Sequence, residues 1–100
     1  MVFKIVNRGT VFATRERGRE LLFEVCELRS ADHEEVLVLD FDGVKTMTDS
    51  VIHMFVLPLM WEAIESPLRP LPELINMSEE VKKAIDWNFR ARGITQHLAA

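Results

Sequence analysis

Apolar and polar residues change rhythm several times along this 100-residue chain, and each change marks a boundary between elements. At the start, Phe3 and Ile5 alternate with Val2, Lys4 and Val6, the two-residue period of a strand. Asn7–Arg8–Gly9 then offers a three-residue connection with glycine where positive φ is needed, and Thr10 to Ala13 reads as the returning strand of a hairpin. Thr14 is suited to cap a helix running to about Arg29, with Gly18, Leu21, Leu22, Val25 and Leu28 forming one apolar stripe. Gly18 weakens that helix, which points to a close approach, expected here against the sheet. Ser30 to Glu35 reads as a polar surface loop.

Val36 to Phe41 is the strongest strand pattern. Its four successive aliphatics predict a central strand buried on both faces, with Asp40 at its end and Asp42–Gly43 turning the chain. A second helix is expected from Asp49 or Ser50 to about Ile64, with Ile52, Phe55, Val56, Leu59 and Ala63 as its core face. Val51, Met54, Leu57, Met60 and Trp61 are apolar too, so this helix is either deep in the molecule or covered by another chain. Pro58 predicts a kink, because its ring crowds the Met54 carbonyl. Ser66 to Pro72 is a proline-rich loop and Glu73 to Met77 a short strand. Ser78 caps a final helix whose buried face is Val81, Ala84, Ile85 and Phe89, and Gly93 stops it. The tail 94–100 is expected to be loosely ordered.

These elements predict one α/β domain over residues 1–100: a mixed sheet of about four strands, hairpin first and parallel strands after, packed with three helices. Composition supports a folded domain, with 48% hydrophobic and 28% charged residues. The net charge of −4 is scattered, and the arginines at 15, 17 and 19 alternate with Glu16 and Glu20, so no basic stripe suits nucleic acid or an anionic membrane. Cys26 allows no internal disulfide and is expected as a small buried hydrophobe. The start lacks the pattern of a secretory signal, and the longest apolar run, 51–61, falls well short of the ~20 residues of a membrane span. A cytoplasmic protein is the expectation. His33, His53 and His97 lack metal-ligand spacing, and neither a catalytic set nor a cofactor motif is present, so no metal, cofactor or catalytic residue is assigned.

The informative stretch is 36–56, VLVLDFDGVKTMTDSVIHMFV. Its LDFDGV resembles the opening motif of haloacid-dehalogenase-like phosphatases, which would make Asp40 a nucleophile and Asp42 an acid/base beside magnesium. More of the chain resembles the STAS-like family, related to the STAS fold of anti-sigma factor antagonists. The resemblance rests on Val38–Leu39–Asp40–Phe41–Asp42–Gly43–Val44 followed by Ser50, on ATRERGRELL before it and on LINMSEEVKKAI after it. It spans about Lys4 to Arg92. Two positions depart from the pattern: Thr48–Asp49–Ser50–Val51 stands where the antagonists carry Asp-Ser-Ser/Ala-Gly, and His53–Met54 stands where the STAS-like family has an acidic pair.

The resemblance implies a bacterial STAS-like sandwich that works as a regulatory, non-enzymatic binding module. Its partner would be a protein such as an ATPase-type kinase or anti-sigma factor, and Ser50 would be the phosphorylated residue at the start of the second helix. Thr48, Asp49, Met54, Leu57 and Trp61 are the expected contact residues. A small magnesium-dependent phosphatase, or a structural domain forming a homodimer through Met54, Leu57 and Trp61, are the alternatives.

Overall fold

The computed structural model describes residues 1–29, 35–66 and 68–95. Two long, interrupted strands run side by side in the same direction and organise the molecule. The first comprises β1 (Val2–Lys4) and β2 (Val11–Phe12); the second comprises β3 (Val38–Asp40) and β4 (Thr46–Met47). β1 pairs with β3 in parallel, Phe3 opposite Leu39, and β2 pairs with β4 in parallel, Phe12 opposite Met47. β5 (Glu73–Ile75) joins the other side of β3, also in parallel, giving the order β1-β3-β5. β3 is therefore central, as its sequence indicates.

No hairpin forms at the N-terminus. Ile5–Arg8 is a turn of 3-10 helix, and after Gly9 the chain carries on in its original direction. The reason lies in the partner strand, which breaks at the same level through the turn Phe41–Val44. Residues 5–10 lie opposite 41–45, and the two irregularities fit each other. Gly43, at φ +83°, leaves room for Val6: a Cβ there would come 2.8 Å from Val6 Cγ2. Every strand pairing among the described residues is parallel, not mixed.

Burial on β3 alternates where both faces were expected to be covered. Leu37, Leu39 and Phe41 point into the core, while Val36, Val38 and Asp40 are half-buried on the opposite face. The outward valines are shielded laterally by neighbouring strands, which suffices for an aliphatic run without a second helical layer. β1 and β5 repeat the pattern, with Phe3 and Leu74 inward and Val2, Lys4, Glu73 and Ile75 outward.

Three helices close the inner face. α1 (Arg15–Leu28) starts at Thr14, whose hydroxyl accepts from Arg17 N–H at 3.3 Å. Leu21 and Val25 enter the core, but Leu28, counted in the stripe, is 55% exposed. α2 is one continuous helix over 49–65, built from Asp49–Val51, a π-helical turn Ile52–Val56 and Leu57–Glu65. Leu57 N–H donates to the Ile52 carbonyl five residues back. Such a turn redistributes hydrogen bonds around Pro58, which has no N–H to give, where a simple kink was expected. Its all-round apolar character is explained within the chain: Val51, Ile52, Phe55, Leu57, Leu59 and Met60 are buried, and α2 lies between α1 and the last helix. α3 (Glu79–Ala91) is capped by Ser78 Oγ, which accepts from Val81 N–H at 3.2 Å. Beyond it, Gly93 adopts φ +71° and Ile94 N–H reaches back to the Phe89 carbonyl, so that Ile94, expected in a loose tail, is buried. The inward strand residues and all three helices share one core cluster.

Gly18 does permit a close approach, but to α2 and not to the sheet. A Cβ at Gly18 would lie 2.8 Å from Met54 Cβ and 3.2 Å from the Val51 backbone. The loop Ser30–Glu35 (except Glu35), Pro67 and the end of the tail, 96–100, fall outside the described residues.

Candidate functional site

The corner that delivers the second long strand into α2 is built by Thr48, Asp49 and Ser50. Thr48 is tied to the first strand twice: its N–H donates to the Phe12 carbonyl at 3.0 Å and its hydroxyl to the Ala13 carbonyl at 2.9 Å. Its own carbonyl accepts from Val51 and Ile52 N–H, starting the helix. Thr48 is thus the N-cap residue by backbone position, yet its hydroxyl does no capping. Asp49 is exposed in the first turn, where a carboxylate suits the positive end of the helix. Ser50 is half-buried, and its hydroxyl has no hydrogen-bond partner among the described residues.

A polar contact with α3 fixes this corner from the other side. Asn88 is fully buried, and its Nδ2 donates to Asp49 Oδ1 at 2.9 Å and to the Ala84 carbonyl at 2.8 Å. With both donors committed, Asn88 Oδ1 is left to accept from His53 Nε2, 2.8 Å away. In that pairing Nε2–H is the donor. Arg92 Nη2 lies 3.0 Å from the same nitrogen, so its contact with His53 is a close approach of two donors. Asp49 and His53 on α2 face Asn88 on α3 and Arg92 at its C-cap, each pair four residues apart. Asn88 was not recognised in the sequence as a core residue. Its position one before Phe89, on the edge of the apolar stripe, was the available signal.

The other expected contact residues separate. Leu57 is 4% exposed and belongs to the core; Met54 is half-buried against Gly18; Trp61 is 38% exposed. Leu57 is therefore withdrawn as a surface residue, and a dimer relying on it lacks that contact. Two more exposed aromatics, Phe23 and Trp87, stand on α1 and α3. Cys26 is exposed, not buried.

Asp40, at the end of β3, is occupied by its own turn. Oδ1 accepts from Asp42 N–H at 3.0 Å and from Asn76 Nδ2 at 3.1 Å, and these bonds, the backbone one first, hold its carboxyl below the usual range. Asp42 is exposed beyond it. Among the described residues no group of three or more His, Cys, Asp or Glu side chains could hold a metal ion. His53 is engaged as above; His33 and His97 lie outside the described residues. No described helix is long and apolar enough to cross a membrane.

Comparison of the chain with protein-family models, with curated proteins and with solved structures finds no match in any of the three.

Proposed function

We propose that this chain is a STAS-like α/β sandwich that regulates by binding a protein partner, with the Thr48–Asp49–Ser50 corner and the exposed Trp61 on its contact surface. The observation that carries the reading is the Ser50 hydroxyl: without a partner among the described residues, in the first turn of a helix held in place by Thr48 on one side and Asn88 on the other. A hydroxyl engaged in capping would be committed to its own backbone; this one is not. Phosphate added in a first helical turn meets the positive helix end and unpaired N–H groups. Asp49 next to it opposes the added charge, although one of its oxygens is taken by Asn88. The switch would work by changing the charge of the corner seen by an approaching partner.

The test is affinity capture from the native cell extract with the wild-type chain, Ser50→Ala and Ser50→Asp, with mass spectrometry of Ser50 in the cell-derived protein. A partner retained by Ser50→Ala and lost with Ser50→Asp supports the switch. Identical partner sets, together with unmodified Ser50, remove it.

The phosphatase alternative ranks second, because its resemblance covers LDFDGV alone. Magnesium-dependent hydrolysis of a phosphate ester, abolished by Asp40→Asn, would reverse that ranking.

A further inference from the structure

α1 and α2 run side by side in the same direction: Gly18 meets Val51 and Met54 near their starts, and Arg29 meets Glu62 further along. Arg15 stands three residues before Gly18, and Ser50 four before Met54. Each therefore shares the side of its helix that makes the glycine contact, one turn ahead of it. Arg15 and Ser50 lie level with each other across that contact.

α3 approaches Ser50 from the other side. His53, three residues after Ser50, is bonded to Asn88, and Arg92 Nη2 lies 3.0 Å from its Nε2. That nitrogen gives its proton to Asn88 Oδ1, so it offers Arg92 no lone pair. The other Arg92 contact, Nη1 to the Asn88 carbonyl, is long at 3.5 Å. Arg15 and Arg92 are both exposed, and neither makes an ion pair among the described residues. Arg17, by contrast, is committed to Glu20 and to the Arg8 carbonyl. Arg19 sits a turn beyond Arg15, level with Met54 and not with Ser50.

We infer that a phosphate on Ser50 is held by a clamp of two arginines, Arg15 from α1 and Arg92 from the end of α3. The inference rests on the reading of Ser50 as a phosphorylated residue and names what receives the phosphate. Transfer from a nucleoside triphosphate forms the Oγ–P bond as the bond to the diphosphate breaks, and the hydroxyl proton is released. The product carries about −1.5 to −2 charges and three acceptor oxygens. Two guanidiniums match it in charge and in the forked geometry of their donors. Asp49 opposes the phosphate from the neighbouring position, with its Oδ1 held by Asn88, and the clamp supplies the counter-charge. Clamping ties α1 to α3 across the start of α2 and withdraws both arginines from an approaching partner.

The test places phosphoserine at position 50 of the full chain by genetic code expansion and follows its phosphorus NMR signal with pH. Failure of the regulatory reading, an unmodified Ser50 in the cell, is thereby kept separate from failure of the clamp. The second ionisation should fall below that of the same chain unfolded in urea by about half a unit or more. Arg15→Gln and Arg92→Gln should each raise it, Arg15→Lys and Arg92→Lys should raise it less, and Arg19→Gln should leave it in place. Circular dichroism checks folding, and the lysine variants carry the comparison if a glutamine variant unfolds. An unchanged titration in either arginine position, an equal effect of Arg19→Gln, or a chain unfolded by the phosphate itself overturns the clamp.

Discussion

Gly18 and Met54 meet backbone to side chain: the Cβ absent from the glycine would fall 2.8 Å from Met54 Cβ. The neighbour in the way is a first side-chain atom, joined to the helix backbone, so it cannot swing aside. Gly18→Ala should therefore destabilise the fold by about 1–3 kcal/mol, despite the better helix propensity of alanine. Met54→Ala should not rescue it, because alanine keeps the offending Cβ. Urea denaturation of the two single variants and the double would show this; full recovery in the double would refute the contact.

Removing the Asn88 amide should cost about 2–4 kcal/mol in Asn88→Leu, because the Ala84 carbonyl, the Asp49 carboxylate and the His53 N–H lose a partner together. Asn88→Asp should be destabilised too, since it sets a carboxylate against Asp49. Thermal melts give the ranking, and an unchanged midpoint for both would mean that this contact does not hold α3 to the corner.

Gly43 and Val6 offer a cycle that separates crowding from backbone strain. Gly43→Ala meets Val6 Cγ2 and must also adopt φ +83°. Combining it with Val6→Ala should relieve the crowding and leave a residual cost of about 1–2 kcal/mol from the left-handed backbone. Additive losses would indicate that the two breaks in the strands do not pack on each other.

Acid stability has one identifiable contributor in the ion pair of Arg8 with Glu24. The side-chain hydrogen bond from Arg8 is the largest cause holding the Glu24 carboxyl below its ordinary value. A carboxyl lowered in the folded state stabilises above its unfolded value, and the benefit disappears as pH falls through the folded one. Glu24→Gln should lower stability across the neutral-to-alkaline range, and the difference from wild type should disappear as pH falls through the folded value, flattening that part of the acid limb. Both side chains remain in contact with solvent, 26% and 37% exposed, so the difference should be below about 1 kcal/mol. Denaturation midpoints followed from neutral pH to acid would check both sign and window.

The elements whose pattern was legible are those with local signals. Thr14 and Ser78 cap helices as their spacing suggests, Asp42–Gly43 turns, and Val81, Ile85 and Phe89 are buried. What misled was information held by a distant segment. Asn7–Arg8–Gly9 has the composition of a hairpin turn, but whether a chain reverses there depends on which strand lies beside it, and here that strand is broken by Gly43 at the same height. Val36–Leu39 is apolar at every position, so its sequence could not distinguish two covered faces from one. Asn88 reads as a surface amide until Asp49 and His53 are brought to it from 35 and more residues away.

By itself the sequence determined the three helices, the strands at 2–4, 11–12, 38–40 and 73–75, the caps of the first and last helix and most of the core, because periodicity and capping act over a few residues. It did not determine the strand at 46–47. Tertiary structure alone decided that the described strands all pair in parallel, that Gly18 faces α2, that Leu57 is interior, and that the Ser50 hydroxyl has no partner among the described residues. Those outcomes depend on contacts between segments far apart in the chain, where shape and hydrogen-bond demand are settled by the partner and not by the local pattern.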